Sequence, residues 1–311
     1  MESELKLRIA TRGSQLALWQ AEHVKSRLLE MDPSLEIELK IIKTQGDIIL
    51  DVSLAKIGGK GLFVKEIEQA MMDGEADLAV HSMKDVPAEL PEGLILQAIL
   101  EREDPRDAFV SNKYKSLEEL PDGAVVGTSS LRRGSQLYRQ YPVKTALLRG
   151  NVNTRLAKLD DGQYDAIILA AAGLIRLDFG DRIASSLDPD KFIPSPGQGA
   201  VGVECREDDE QVCALLAKLN HQETSSRVRV EREFNLAIGG SCQVPAGCYA
   251  TIEGDKYQLR AFVSSPDGKE YYREDMSGEL KNLEGSGTEI ANKLIARGAA
   301  VIINDLLGKD I

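Results

Sequence analysis

The chain has 311 residues, 42% hydrophobic and 28% charged, which exceeds the size at which one core keeps growing and indicates two or three soluble domains. Its formal net charge of −12 disfavours nucleic acid and anionic membrane surfaces as partners, so any basic cluster in it is informative. It contains no run of about 18 apolar residues that would span a bilayer. Four cysteines without a Cys-x-x-Cys pair argue against a disulfide framework, and three scattered histidines, His23, His81 and His221, argue against a metal site.

The opening MESELKLRIA carries acidic residues where a secretory signal has a basic and then an apolar region, so a cytoplasmic location is expected. KLRIA (6–10) reads as a strand. The helix after it carries Leu16, Trp19, His23 or Val24, Leu28 and Met31 at helical spacing. LEIELKIIK alternates apolar and charged residues like a half-buried strand. GDIILDVSLAKIGGKGLF (46–63) is glycine-rich, with Lys56 and Lys60, and reads either as a lid over an anion site or as an ordinary surface loop. LFVKEIEQAMMDG is an amphipathic helix stopped at Gly74, followed by a short buried strand from Leu78 to Val80. The alternation of strand and helix gives the α/β class.

The two halves echo each other. ATRGSQLALWQ (10–20) reappears in outline as LRRGSQLYRQY (131–141), and GEADLAVHS (74–82) as GQYDAIILA (162–170). Two matches in the same order indicate a duplicated α/β lobe in which RGSQL opens a helix after a strand. EREDPRDAF (101–109) and FIPSPGQGAVGVE (192–204) read as two crossings, so the chain leaves the first lobe, builds the second and returns. Such lobes can hinge over a ligand. The expected units are 1–100 with 198–220, 101–197, and 221–311. The last is a small α+β domain with a long helix, three strands turning at 253–256 and 266–268, and one closing helix, EIANKLIARGAAVIINDLL.

Arg12 and Ser14 in the first half, and Thr128, Ser129, Ser130, Arg132 and Arg133 in the second, lie where a strand hands over to a helix. There the free backbone N–H groups and the positive helix end favour an anion. One such segment alone reads as helix capping with surface ion pairs. Arg149, Arg155 and Arg176 follow successive strands of the same half, and this repetition favours a ligand with several carboxylates, which guanidinium forks grip in two-point contacts. After Val80 the chain presents His81, Ser82, Lys84 and Asp85. Asp85 alone reads as a turn residue. A pocket crowded with arginines, however, opposes any cationic intermediate unless a carboxylate offsets them. At about 4 Å and an effective dielectric near 20 that carboxylate contributes on the order of 4 kcal/mol, about a thousandfold in rate.

Cys205 and Cys213 read as packing residues. Cys242, in GGSCQVPAGC (239–248), is left accessible by the glycines on its N-terminal side, in a loop constrained by Pro245 and Gly247. A free thiol has a pKa of about 8.5 and no base stands near it in sequence, so Cys-His catalysis has little support and covalent attachment stays open.

These segments, with KTQGD, GGKGLFVKEIE, DLAVHSMKDVP, EDPRDAF, VGTSSLRR, RGNVNTRL, LAAAGL, PSPGQGA and GGSCQVPAG, resemble the porphobilinogen deaminase (hydroxymethylbilane synthase) family in order along essentially the whole chain. The resemblance implies two lobes similar to type II periplasmic binding proteins and a small third domain. It also implies a dipyrromethane cofactor joined to Cys242 by a thioether. On that primer four porphobilinogen molecules would be deaminated and joined head to tail, and hydrolysis would release hydroxymethylbilane. By the same resemblance Ser14, Ser82, Lys84, Thr128, Ser129, Arg132, Arg133, Arg155 and Gly173 would hold the cofactor, and Arg12, Arg149, Arg176, Gln198, Gly199, Lys60 and Phe63 the substrate. Asp85 would be catalytic and Cys248 structural. A monomer acting on a small molecule is expected. The rival readings are a non-catalytic polyanion receptor, which predicts no covalent adduct on Cys242, and a cysteine transferase forming an acyl thioester, which lacks a convincing base.

Overall fold

The computed structural model describes residues 6–48, 64–240 and 243–308. Strand β1 (Lys6–Thr11) leads into helix α1 (Gln15–Met31), whose first turn is capped by the Ser14 side chain accepting from the Ala17 N–H. Strand β2 (Glu36–Ile41), a single turn of helix, α2 (Gln45–Ile48), helix α3 (Lys65–Met72), and strands β3 (Leu78–Ser82) and β4 (Leu94–Ile99) follow. The second lobe runs through β5 (Asp107–Val110), β6 (Val125–Gly127), α4 (Leu131–Gln140), β7 (Lys144–Ala146), α5 (Val152–Asp160), β8 (Ala166–Ala170), α6 (Ala171–Arg176) and β9 (Ser185–Ser186). The chain then returns as β10 (Val201–Arg206) and α7 (Glu210–Ala217).

The two sheets have the same plan. In the first the order is β2-β1-β3-β10-β4, and in the second β7-β6-β8-β5-β9. The first three strands of each are mutually parallel, and the fourth, delivered by a crossing, is antiparallel to its neighbours. The Gly-x-x-Asp match is structural. Gly74 and Gly162 both turn with positive φ, 69° and 74°. Asp77 and Asp165 each accept from the backbone of the neighbouring parallel strand, at Arg8 and Val125, with N–O distances of 2.8 Å.

The RGSQL match is not. Ser14 caps α1, but the structurally equivalent cap of α4 is Ser130, which accepts from the Arg133 N–H, so the second RGSQL (133–137) lies inside the helix. The identity of five residues is out of register, while the duplication itself is real.

Three further expectations are corrected. Strand β3 runs to Ser82 and therefore carries His81 within the sheet. The buried stripe of α1 is Gln20, Ala21, Val24 and Leu28; Trp19 is only partly buried and Met31 is 40% exposed. The closing helix is broken. Helix α9 (Ser286–Leu294) and helix α10 (Ala300–Leu307) are separated by an irregular turn in which Gly298 takes φ 119°, a left-handed value that relieves it of helical geometry. These helices and α8 (Gln222–Ala237) pack on the antiparallel strands β11 (Ala246–Glu253), β12 (Lys256–Ser264) and β13 (Tyr271–Glu279), around Phe234, Leu259 and Ile290. No helix among the described residues is long and apolar enough to cross a membrane.

Candidate functional site

Residues at the strand-to-helix turns of the two lobes act on one another: Lys84 and Asp85 of the first on Arg155 of the second, with Leu16 beside Gly173. From the first come the turns after β1 and β3, and from the second those after β6, β7 and β8. Ser14 and Ser130 spend their hydroxyls capping, Thr128 accepts from the Ser130 N–H, and Ser129 donates to the Leu148 carbonyl. Ser82, at the end of β3, exchanges hydrogen bonds with the Gln20 amide of α1 at 2.9 and 3.2 Å. Half-buried Arg12 follows β1 directly.

The arginines divide into two kinds. Arg132 and Arg133 are 6% exposed and share one carboxylate, Asp107, each at 2.7 Å. Arg132 also donates to the Ile193 carbonyl and Arg133 to that of Ile168. Burial opposes the charge on Asp107, but the two guanidinium groups outweigh it and hold its pKa down at about 2. Gln198 completes this cluster from beneath. It is 1% exposed, and its amide donates to Asp107 and to the Pro105 carbonyl. Gly199, at φ 89°, lies so close to the first crossing that a Cβ would stand 2.4 Å from the Glu103 carbonyl oxygen. Gln198 and Gly199 thus underlie the arginines.

Arg155 is the other kind. Its Nε donates to the Gly150 carbonyl, while its two terminal nitrogens have no hydrogen-bond partner among the described residues. Burial first, then Arg133 and Arg149, press its pKa down to about 10, with Asp85 opposing. Lys84 likewise has neither a hydrogen bond nor an ion pair there. Burial pushes its pKa down to about 8, Asp85 and Asp107 working against that and Arg133 and Arg155 with it. Exposed Asp85 follows in the single 3-10 turn Met83–Asp85, also without a hydrogen-bond partner among the described residues. Three uncommitted groups, Lys84, Asp85 and Arg155, therefore act on one another across the two lobes.

Arg149 is 8% exposed and burial lowers its pKa. Arg176, on α6, donates to the Gly199 carbonyl at 2.7 Å, and burial takes its pKa to about 10 against the pull of Glu103. A Cβ on Gly173 would point toward Leu16 of α1 at 3.5 Å. Cys242, Lys60, Phe63 and most of the glycine-rich stretch lie outside the described residues. Cys248 is fully buried and its thiol is pushed well up by burial, which fits a packing role. The Cys205 and Cys213 sulfurs are 3.7 Å apart. His81, expected on the turn, instead meets Glu204 of β10 at 2.9 Å inside the sheet.

Sequence reading missed Asp107 and Gln20, and gave Trp19 only a place in the packing stripe of α1. An acidic residue opening the apolar strand DAFV was the available signal for Asp107, since a carboxylate is buried there only with cations around it.

The cations that act on one another here, Lys84, Arg132, Arg133, Arg149 and Arg155, outnumber the acids facing them, Asp85 and Asp107. That imbalance suits a ligand bearing several carboxylates, and dipyrromethane, with two acetates and two propionates, meets it in kind. Fold and site together define a two-lobed α/β protein with a surplus of cations beside Asp85, an acid without a hydrogen-bond partner among the described residues.

The chain belongs to the porphobilinogen deaminase family. The model described as porphobilinogen deaminase, dipyromethane cofactor binding domain, matches residues 7–214, and that for the C-terminal domain matches 225–296. Its class of reaction is transfer that makes linkages between pyrroles, with dipyrromethane as cofactor. Among solved structures, the chain is similar to a pheromone cOB1 precursor/lipoprotein of the YaeC family from Enterococcus faecalis, at 16% identity and TM-score 0.44, covering 70% of this chain and 93% of that one. It is also similar to the periplasmic VFT2 domain of BvgS from Bordetella pertussis, at 18% identity and TM-score 0.40, covering 69% and 86%.

Proposed function

We propose that the protein condenses four molecules of porphobilinogen, with loss of ammonia, on a dipyrromethane primer bound through a thioether to Cys242, and then releases hydroxymethylbilane by hydrolysis. The observation that carries this is the trio Lys84, Asp85 and Arg155, whose side chains, apart from the Arg155 Nε, have no hydrogen-bond partner among the described residues. Lys84 and Arg155 offer donors to carboxylates, and Asp85 offers a negative charge to the reacting centre.

When bound, the cofactor supplies the terminal pyrrole that attacks the deaminated substrate. The chain's own residues do the rest. Lys84 and Arg155, with the buried Arg132 and Arg133 behind them, hold the primer's acetates and propionates. Arg12, Arg149 and Arg176 receive those of the incoming monomer. Asp85, close enough to Lys84 and Arg155 to act on both, stabilises the positive charge left as ammonia departs and accepts the proton displaced from the attacking pyrrole. Lys60 and Phe63, outside the described residues, are assigned to the substrate by the family resemblance alone. We read the protein as a cytoplasmic monomer, organised as 1–100 with 198–220, 101–197, and 221–311.

Intact mass and peptide mapping of active protein test the assignment. An adduct of two pyrroles on the peptide bearing Cys242, and on no other cysteine peptide, is expected. Fully active protein with four unmodified thiols refutes it. Asp85→Ala should lower turnover of porphobilinogen about a thousandfold, the size of one well-placed charge, while the adduct remains.

A further inference from the structure

Helix α1 of the first lobe lies along the second lobe through one face. Gln15 accepts from the Asn153 amide of α5 at 2.6 Å, Leu16 approaches Gly173 of α6, and the Trp19 ring has the Arg176 guanidinium carbon 5.4 Å from its centroid. Positions 15, 16 and 19 share a helix face, so a single stripe makes all three contacts. His23, one turn further on, stacks on Trp19 with centroids 5.1 Å apart and planes at 11°. Burial lowers the pKa of His23, and Arg27 and Arg176 lower it further, with only Glu30 opposing. These effects disfavour the charged imidazolium that would repel Arg176.

The way Arg176 is held differs from the way Arg132 and Arg133 are. Those two are fixed by a carboxylate, which neutralises charge and occupies donors. Arg176 has one nitrogen on the Gly199 carbonyl and its guanidinium carbon over the Trp19 ring. A cation–aromatic contact restrains a guanidinium without neutralising its charge as a carboxylate does, so its charge and its remaining donors stay available for a two-point contact.

We propose that Trp19 is a positioning residue for Arg176. The indole of one lobe holds the guanidinium of the other across the seam, so that approach of the lobes and the aiming of Arg176 at a substrate carboxylate are one event. The inference rests on the reading that Arg176 receives a carboxylate of porphobilinogen.

Two substitutions separate positioning from packing. Trp19→Leu keeps apolar bulk and removes the aromatic face, and Trp19→Phe keeps a face. In the holoenzyme, with the pyrrole adduct verified by mass, Trp19→Leu should raise KM for porphobilinogen about tenfold and change kcat less than about threefold, the KM effect expected from losing one cation–aromatic contact. Trp19→Phe should return KM to within about threefold of wild type. Equal kinetics for the two variants, whether both normal or both impaired, overturns the proposal. The protein has one tryptophan, so wild-type emission reports this seam alone. It should change saturably as porphobilinogen is added, and the change should vanish in Arg176→Met; emission indifferent to substrate in a turning-over enzyme also overturns the proposal. Wild-type protein that does not consume porphobilinogen refutes the functional reading and this inference with it. Wild-type turnover combined with either negative result refutes this inference alone.

Discussion

Asp107 makes the arginine cluster possible. Without it two guanidinium groups at 6% exposure would face each other in a dry interior, so Asp107→Asn, which keeps shape and removes charge, should cost about 3–5 kcal/mol in denaturant unfolding with little change in m. Removing Lys84 should act in the opposite sense. Lys84 has no partner among the described residues and burial drives its pKa down, so Lys84→Met should leave stability unchanged or raise it while weakening retention of the primer, read as the fraction of protein carrying the pyrrole adduct. A stability gain at the expense of function marks a group held for a ligand. At this scale the sequence revealed which cations gather but not how they are divided. Arg132, Arg133 and Arg155 look alike in VGTSSLRR and RGNVNTR. What separates them is a carboxylate that arrives from the first crossing, 25 residues before Arg132, and only the folded chain brings it there.

Among elements, α3, β3 and β10 meet over three buried titratable groups: Glu68, His81 and Glu204, at 5%, 5% and 0% exposure. Burial first, and then Glu204, lift the pKa of Glu68 to about 7, against the pull of His81 and Lys65. Arg232 of α8, which feels Glu204, donates to the Pro87 and Ala88 carbonyls of the segment after Asp85. Because the folded pKa of Glu68 lies above that of an unfolded carboxyl, the native state holds more protons between about pH 4.5 and 7, and stability falls as pH rises through that window. Glu68→Gln should flatten this slope. Its Tm should exceed that of wild type above pH 7, and the difference should shrink below pH 5. Periodicity identified α3 and β3 well, because apolar spacing dictates both. It ended β3 too early because a histidine reads as polar, whereas here a glutamate from a strand over a hundred residues later completes its hydrogen bonding. The out-of-register RGSQL pair is a similar lesson, since helix caps are fixed by backbone geometry, which picks Ser14 and Ser130, and not by the longest identity.

In the whole molecule both crossings and the third unit converge on Glu231 of α8. Its carboxylate takes both terminal nitrogens of Arg102 from the first crossing, at 2.7 and 3.0 Å, the Gly197 N–H of the second, and the Ala250 N–H of β11. Glu231→Gln leaves Arg102 buried without its counterion and loosens both crossings from the third unit. An earlier, separate calorimetric transition is expected, in place of one cooperative step. The sheet plans have a consequence for the newborn chain. All five strands of the second sheet lie between Asp107 and Ser186, so that sheet is complete as soon as its last strand leaves the ribosome. In the first, β10 sits between β3 and β4, so two strands made early wait with bare edges for one translated a hundred residues later. The lobe synthesised second is thus the first able to finish folding, and a nascent chain halted before Val201 would expose two unpaired ladders of backbone amides and carbonyls that invite association with other chains.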